Sequence, residues 1–115
     1  MTEKERFPIF TTNTSAMKFE ISDKALEDIE NIWLYTIETW SVEQADRYYN
    51  LLFDEIEYIT EHPLSGRNVD HIRKNYWCTK VKSHLIFYRY KTSDKKVEII
   101  RILHQSMDDE DRMKE

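Results

Sequence analysis

Cysteine, glycine and proline are almost missing from this 115-residue chain: one cysteine (Cys78), one glycine (Gly66) and two prolines (Pro8, Pro63). One cysteine excludes an intramolecular disulfide and any multi-cysteine zinc site, and it suits a reducing compartment. So few breakers exclude glycine-rich phosphate loops, collagen-like repeats and low-complexity linkers. The longest apolar runs are four residues, as in Leu85-Ile86-Phe87-Tyr88. A membrane-spanning helix needs ~20 and a signal-peptide core ~7–15, so a soluble, cytoplasmic protein is expected. His-Glu-x-x-His, a nucleotide-binding glycine loop and a nucleophile elbow are all missing, which removes the enzyme classes they mark. No cofactor is expected.

What the chain does hold is enough for one compact core: 40% hydrophobic and 34% charged residues, with 13% aromatic. Net charge is −5, which disfavours tight direct binding to nucleic acid. The charges are segregated. Residues 17–65 carry 12 acids and three bases, residues 66–104 carry ten bases and three acids, and residues 105–115 add −3. A molecule with an acidic and a basic side follows from this grouping. A preference of helices for Glu and a tolerance of strands for Lys would give the same pattern.

Residues 1–16 show no period and read as a flexible N-terminal extension, with the patterned domain spanning 17–115. Lys18-Phe19-Glu20-Ile21 alternates as a short half-buried strand does. Ser22 is a good N-cap, and Leu26, Ile29, Trp33, Ile37 and Trp40 then recur at helical spacing. Ser41 caps a second helix, with Gln44 placed to complete a capping box. Its stripe is Ala45, Tyr48/Tyr49, Leu52, Ile56 and Ile59, and it must stop before Pro63. Two helices this close form an antiparallel hairpin. The period then changes to two: strands are expected over 76–81, 85–90 and 97–103, joined by tight turns as antiparallel neighbours. In the last, Val97, Ile99 and Leu103 are expected on one face and Ile100 and Ile102 on the other. Ser106 is placed to cap a last short helix. The order is β-α-α-β-β-β-(α), an α+β domain with a helical hairpin packed on an antiparallel sheet.

The reactive residues have bland readings beside the functional ones. His62, His71, His84, His104 and Cys78 match no metal-ligand spacing, so no metal site is expected; His62 and His84 fall at turns, where a solvated histidine is ordinary. Cys78 reads as a packed small apolar residue. The aromatic stripe of Trp33, Trp40, Tyr48 and Tyr49 reads as core. His104 ends a strand close to Arg101. An imidazole there has the proton affinity for acid–base work in RNA cleavage, but a structural histidine holding the Ser106 turn by a hydrogen bond is favoured.

Five segments together resemble a known family: Phe19-Glu20-Ile21-Ser22-x-x-Ala25-x-x-Asp28-Ile29-x-x-Ile32-Trp33-x-Tyr35-Thr36, Gln44-Ala45-x-x-Tyr48, His62-Pro63-x-x-Gly66-Arg67, Ile86-Phe87-Tyr88-Arg89 and Ile102-Leu103-His104-x-x-Met107-Asp108. They are similar to the ParE branch of the RelE/ParE toxins of bacterial type II toxin–antitoxin pairs. The resemblance implies a helical hairpin against an antiparallel sheet, in agreement with the order read above. It also implies a cognate, ParD-like antitoxin that folds on binding. RelE-like members of that family cut mRNA on the ribosome. Here that role would fall to His104 as acid/base, with Lys80, Lys82 and Arg101 on phosphate. Leu85 stands where such nucleases tend to carry arginine, and no tyrosine follows Tyr90. The ParE-like reading is therefore preferred: an inhibitor of DNA gyrase that breaks no bond. Arg73, Lys80, Lys82, Arg89 and Arg101 are then the residues expected to bind antitoxin and target.

Overall fold

The computed structural model describes residues 19–106. The expected extension over 1–16 and the expected helix after Ser106 lie outside the described residues. The chain runs through β1 (Phe19–Ile21), α1 (Asp23–Thr39), α2 (Val42–Glu61), β2 (Arg67–Asn68), β3 (Trp77–Val81), β4 (His84–Lys91) and β5 (Lys96–His104). The helical hairpin packs on a sheet ordered β1-β5-β4-β3-β2. β3, β4 and β5 are antiparallel neighbours, as expected; β2 adds antiparallel to β3, and β1 adds in parallel to β5, which makes the sheet mixed.

Local chemistry sets the element ends. The Ser22 hydroxyl accepts from the Ala25 amide (3.0 Å) and Ser41 does the same for Gln44 (3.1 Å), each satisfying a donor the first turn leaves over. Only half of the expected capping box forms, because the Gln44 side chain takes Arg47 instead (2.8 Å). α2 ends at His62, where Pro63 forbids continuation. The turn after it is fastened to the sheet centre. Tyr88 donates its hydroxyl to the Pro63 carbonyl (2.9 Å) and accepts from the Gly66 amide (3.2 Å). The two-residue strand β2 was not expected from sequence, since it is too short to show a period.

The core lies between the hairpin and the sheet. Ile29, Leu52, Ile56 and Ile59 from the helices meet Phe19, Val81, Ile86, Tyr88, Val97, Ile99 and Ile102 from the strands. A smaller cluster of Val69, Cys78, Phe87 and Leu103 covers the opposite sheet face, and Cys78 is packed there as expected. The expected face assignment of β5 needs correction. Its pairing with β4 slips between Phe87 and Tyr88, so that Ile100 has no partner across the ladder. This bulge resets the alternation: Ile102 joins Val97 and Ile99 in the main core, whereas Leu103 falls on the far side. The aromatic stripe is also only partly core. Tyr49 is buried and Trp33 and Tyr48 pack against the core, but Trp40 caps α1 from outside and is 71% exposed.

Candidate functional site

β1 accompanies β5 only along 97–99. Beyond that point the start of α1 takes over the edge of β5. The Ser22 amide donates to the Ile99 carbonyl (2.9 Å) and the Ser22 hydroxyl to the Ile100 carbonyl (2.8 Å). The Asp28 carboxylate accepts from the Ile102 amide (2.9 Å) and from Arg101 through both Nε (2.8 Å) and Nη2 (3.0 Å). Helix and strand then diverge. They leave a groove of about 1140 Å³ walled by α1 and α2 and floored by the β3–β4 turn and the end of β5.

The groove has two ends of different character. Ile32, Tyr35, Trp40 and Leu51 make one of them apolar, and Tyr35 is 65% exposed. Lys82, His84, Arg101, His104 and Ser106 line the other. Lys82 turns the corner between β3 and β4 in the left-handed region (φ 53°), which places its side chain at the groove rather than in the ladder. His84 is not the solvated turn residue expected from sequence. It is half-buried as the first residue of β4, its Nδ1 lies 2.6 Å from the Tyr48 hydroxyl, and its ring meets the His104 ring nearly edge-on at 5.2 Å. Burial pushes its pKa down to about 4; the neighbouring His104 lowers it further and Asp28 partly offsets both. Burial likewise raises the Tyr48 hydroxyl, eased by hydrogen bonds from Ser83.

His104 is bonded as the bland reading held: its Nδ1 contacts the Ser106 hydroxyl (2.7 Å) and accepts from the Ser106 amide (3.1 Å). The cations named from sequence do not converge. Lys82 and Arg101 border the groove. Arg101 is already neutralised by Asp28, and both side chains are largely shielded (15% and 12% exposed). Lys80 alternates with Cys78, which packs on the far sheet face, so it points away from the hairpin. Arg89 pairs with Glu98 at 2.6 Å, and Arg73 lies in the β2–β3 loop. Among the described residues no group of three His, Cys, Asp or Glu side chains converges as metal ligands would.

Sequence reading missed three residues of the site: Asp28, Tyr48 in its polar role, and His84. Asp28 did leave a signal, being three residues after Ala25 and four before Ile32 on the inward stripe of α1, where a carboxylate needs a partner. The Tyr48–His84 contact left none, because the two lie 36 residues apart.

The family model described as "ParE toxin of type II toxin-antitoxin system, parDE" matches residues 19–109. Toxin ParE1 of Caulobacter vibrioides is 42% identical over 89 residues, covering 77% of this chain and 90% of that protein. Toxin ParE1 of Mycobacterium tuberculosis is 35% identical over 91 residues, 79% of this chain and 92% of its own. Among solved structures, the chromosomal ParDE TA system from P. aeruginosa superposes with a TM-score of 0.65 at 16% identity, over 76% of this chain and 95% of that one. At that identity it supports the fold alone.

Proposed function

This chain belongs to the ParE family of toxins of type II toxin–antitoxin systems, and from that membership we propose that it arrests growth by binding DNA gyrase in the cytoplasm and is neutralised by a ParD-like antitoxin. The antitoxin lays an amphipathic segment in the groove, with apolar anchors at the Ile32, Tyr35 and Leu51 end. The observation that carries this reading is the groove itself, open, half apolar, and with its arginines already bonded, Arg101 to Asp28 and Arg47 to Gln44. Such a lining suits a peptide better than a phosphodiester. Lys82 and Arg101 border it directly. Arg73, Lys80 and Arg89 contribute from outside as long-range attraction for acidic segments of antitoxin and target.

The nuclease reading is less well supported. Lys80 projects from the opposite sheet face to the groove where Lys82 and His104 stand, and Arg101 is held by Asp28. Stabilising a developing phosphate charge requires those groups on one centre. A supercoiling assay with purified gyrase tests the proposal. Loss of supercoiling with added toxin, restored by the antitoxin, is the expected result. Undisturbed gyrase together with defined cuts in mRNA on translating ribosomes would replace it with the nuclease reading.

A further inference from the structure

We propose that the polar end of the groove reads a carboxylate: an acidic side chain of the docking partner seats on the imidazoles of His84 and His104 beside Lys82, and its arrival brings a proton into the site. The inference rests on the reading that the groove receives a peptide segment and adds the chemistry of the group that enters.

Hydrogen-bond accounting assigns the tautomers. The Tyr48 hydroxyl lies 2.9 Å from the Val81 carbonyl and 2.6 Å from His84 Nδ1. It has one proton, and the carbonyl can only accept it. The hydroxyl therefore donates to Val81, and His84 Nδ1–H donates to the Tyr48 oxygen. The neutral His84 ring is left with a bare Nε2. At His104 the order is reversed. The Ser106 amide donates to Nδ1 (3.1 Å), so Nδ1 is an acceptor and the ring proton is on Nε2. Both rings line the groove 5.2 Å apart, and between them the bonds at Nδ1 leave over one N–H and one unprotonated nitrogen.

The Lys82 ammonium lines the same end of the groove. The charged and titratable groups lining the groove with His84 are Lys24, Glu27, Asp28 and Tyr35 from α1, Arg47 and Tyr48 from α2, Lys82 from the turn, and Arg101 and His104 from β5. Asp28 is the carboxylate that acts on His84 to favour an imidazolium, and both its oxygens are engaged with Arg101 and the Ile102 amide. The free protein consequently keeps His84 neutral. A carboxylate placed here accepts from His104 Nε2–H and from Lys82, and as an opposite charge within a few ångströms it favours protonation of His84 Nε2. The proton comes from solvent and no covalent bond changes. Because the bound state holds one more proton than the free one, affinity rises as pH falls. An amide or hydroxyl entering the same place has no charge with which to recruit that proton.

The test uses the full chain and a synthetic, N-acetylated peptide of about twelve residues alternating leucine and glutamate, with a leucine–glutamine peptide as its uncharged counterpart. Calorimetry at about pH 6 and about pH 8 brackets the range in which imidazoles change charge. The glutamate peptide is expected to bind at least ~10-fold tighter at the lower pH. Its enthalpies in two buffers of different ionisation heat should report close to one proton taken up, and the glutamine peptide should show neither effect. His104→Gln, at a strand end, and His84→Gln, checked for folding by circular dichroism, should each reduce the pH effect to less than about twofold. Equal affinity of the glutamate peptide at both pH values, no binding of it, or proton uptake that survives in both variants overturns the inference. Gyrase inhibition is scored separately: its absence with proton-linked peptide binding intact removes the target reading and leaves this one standing.

Discussion

Gly66 shows how much one side chain decides in a small domain. A β-carbon built there would approach the Tyr88 hydroxyl to 2.5 Å and the Cys78 carbonyl to 2.8 Å. The tyrosine is anchored by Pro63 and the carbonyl is backbone of a central ladder, so neither gives way cheaply. Gly66→Ala should destabilise by about 1–3 kcal/mol, the usual range for overpacking, read from the midpoint of urea unfolding. Asp28 makes the contrasting case for charge. Asp28→Asn keeps the shape but leaves Arg101 shielded without its counter-charge, at a cost of about 2–4 kcal/mol. Glu98→Gln breaks the more exposed pair with Arg89 and should cost less than about 1 kcal/mol. Equal losses in the two variants would mean that shielding does not set the worth of these pairs. His84 gives a pH signature. Its pKa is lower folded (about 4) than unfolded (about 6.5). The protein is therefore favoured in full above about pH 6.5 and loses this contribution as pH falls through the interval to about 4. The ring is only half-buried, so solvent screening limits the loss to about 1–2 kcal/mol. His84→Gln should flatten the stability profile across that interval, and an unchanged profile would show that the ring does not titrate against folding.

The two helix caps look alike in sequence and differ in structure. Ser41 bonds only the first turn of α2, whereas Ser22 also donates across 78 residues to the Ile100 carbonyl. Ser41→Ala should cost about 0.5–1 kcal/mol and Ser22→Ala about 1–2 kcal/mol, measured side by side in urea. Equal losses would mean the bond to β5 is not felt. The pair also marks the boundary of what sequence discloses. Both caps, both apolar stripes and all three later strands were readable, because periodicity and capping are written within a few neighbouring residues. The second role of Ser22, the bulge at Ile100 and the parallel seat of β1 were not, because each depends on a residue brought in by the fold. The same distinction divides the site. His104 with Ser106 spans two positions and was read correctly. His84 reads in the sequence as a solvated turn residue because Tyr48, which shelters it, belongs to another element.

At the scale of the entire fold, the charge segregation of the sequence becomes a property of layers. The acidic stretch forms the helical hairpin and the basic stretch forms most of the sheet. Asp28 with Arg101 stitches the layers, Glu20 on β1 pairs with Lys91 and Lys96 inside the sheet, and the remainder of the separation stands as a dipole. A dipole of this kind does little for a bound complex in salt, since charges beyond a Debye length of about 8 Å are screened. Under the proposed function its action is on encounter, orienting the sheet side towards an acidic segment before contact. Arg73 and Lys80 lie outside the groove, on the sheet side, and are suited to test this. Arg73→Glu with Lys80→Glu should lower the association rate with the antitoxin several-fold at low ionic strength and make that rate less sensitive to added salt, with dissociation nearly unchanged. Stopped-flow association across a salt series separates the two rates. A change confined to dissociation would place these residues in the contact itself, and an unchanged association rate would leave the layered charge as a by-product of helices favouring glutamate and strands tolerating lysine.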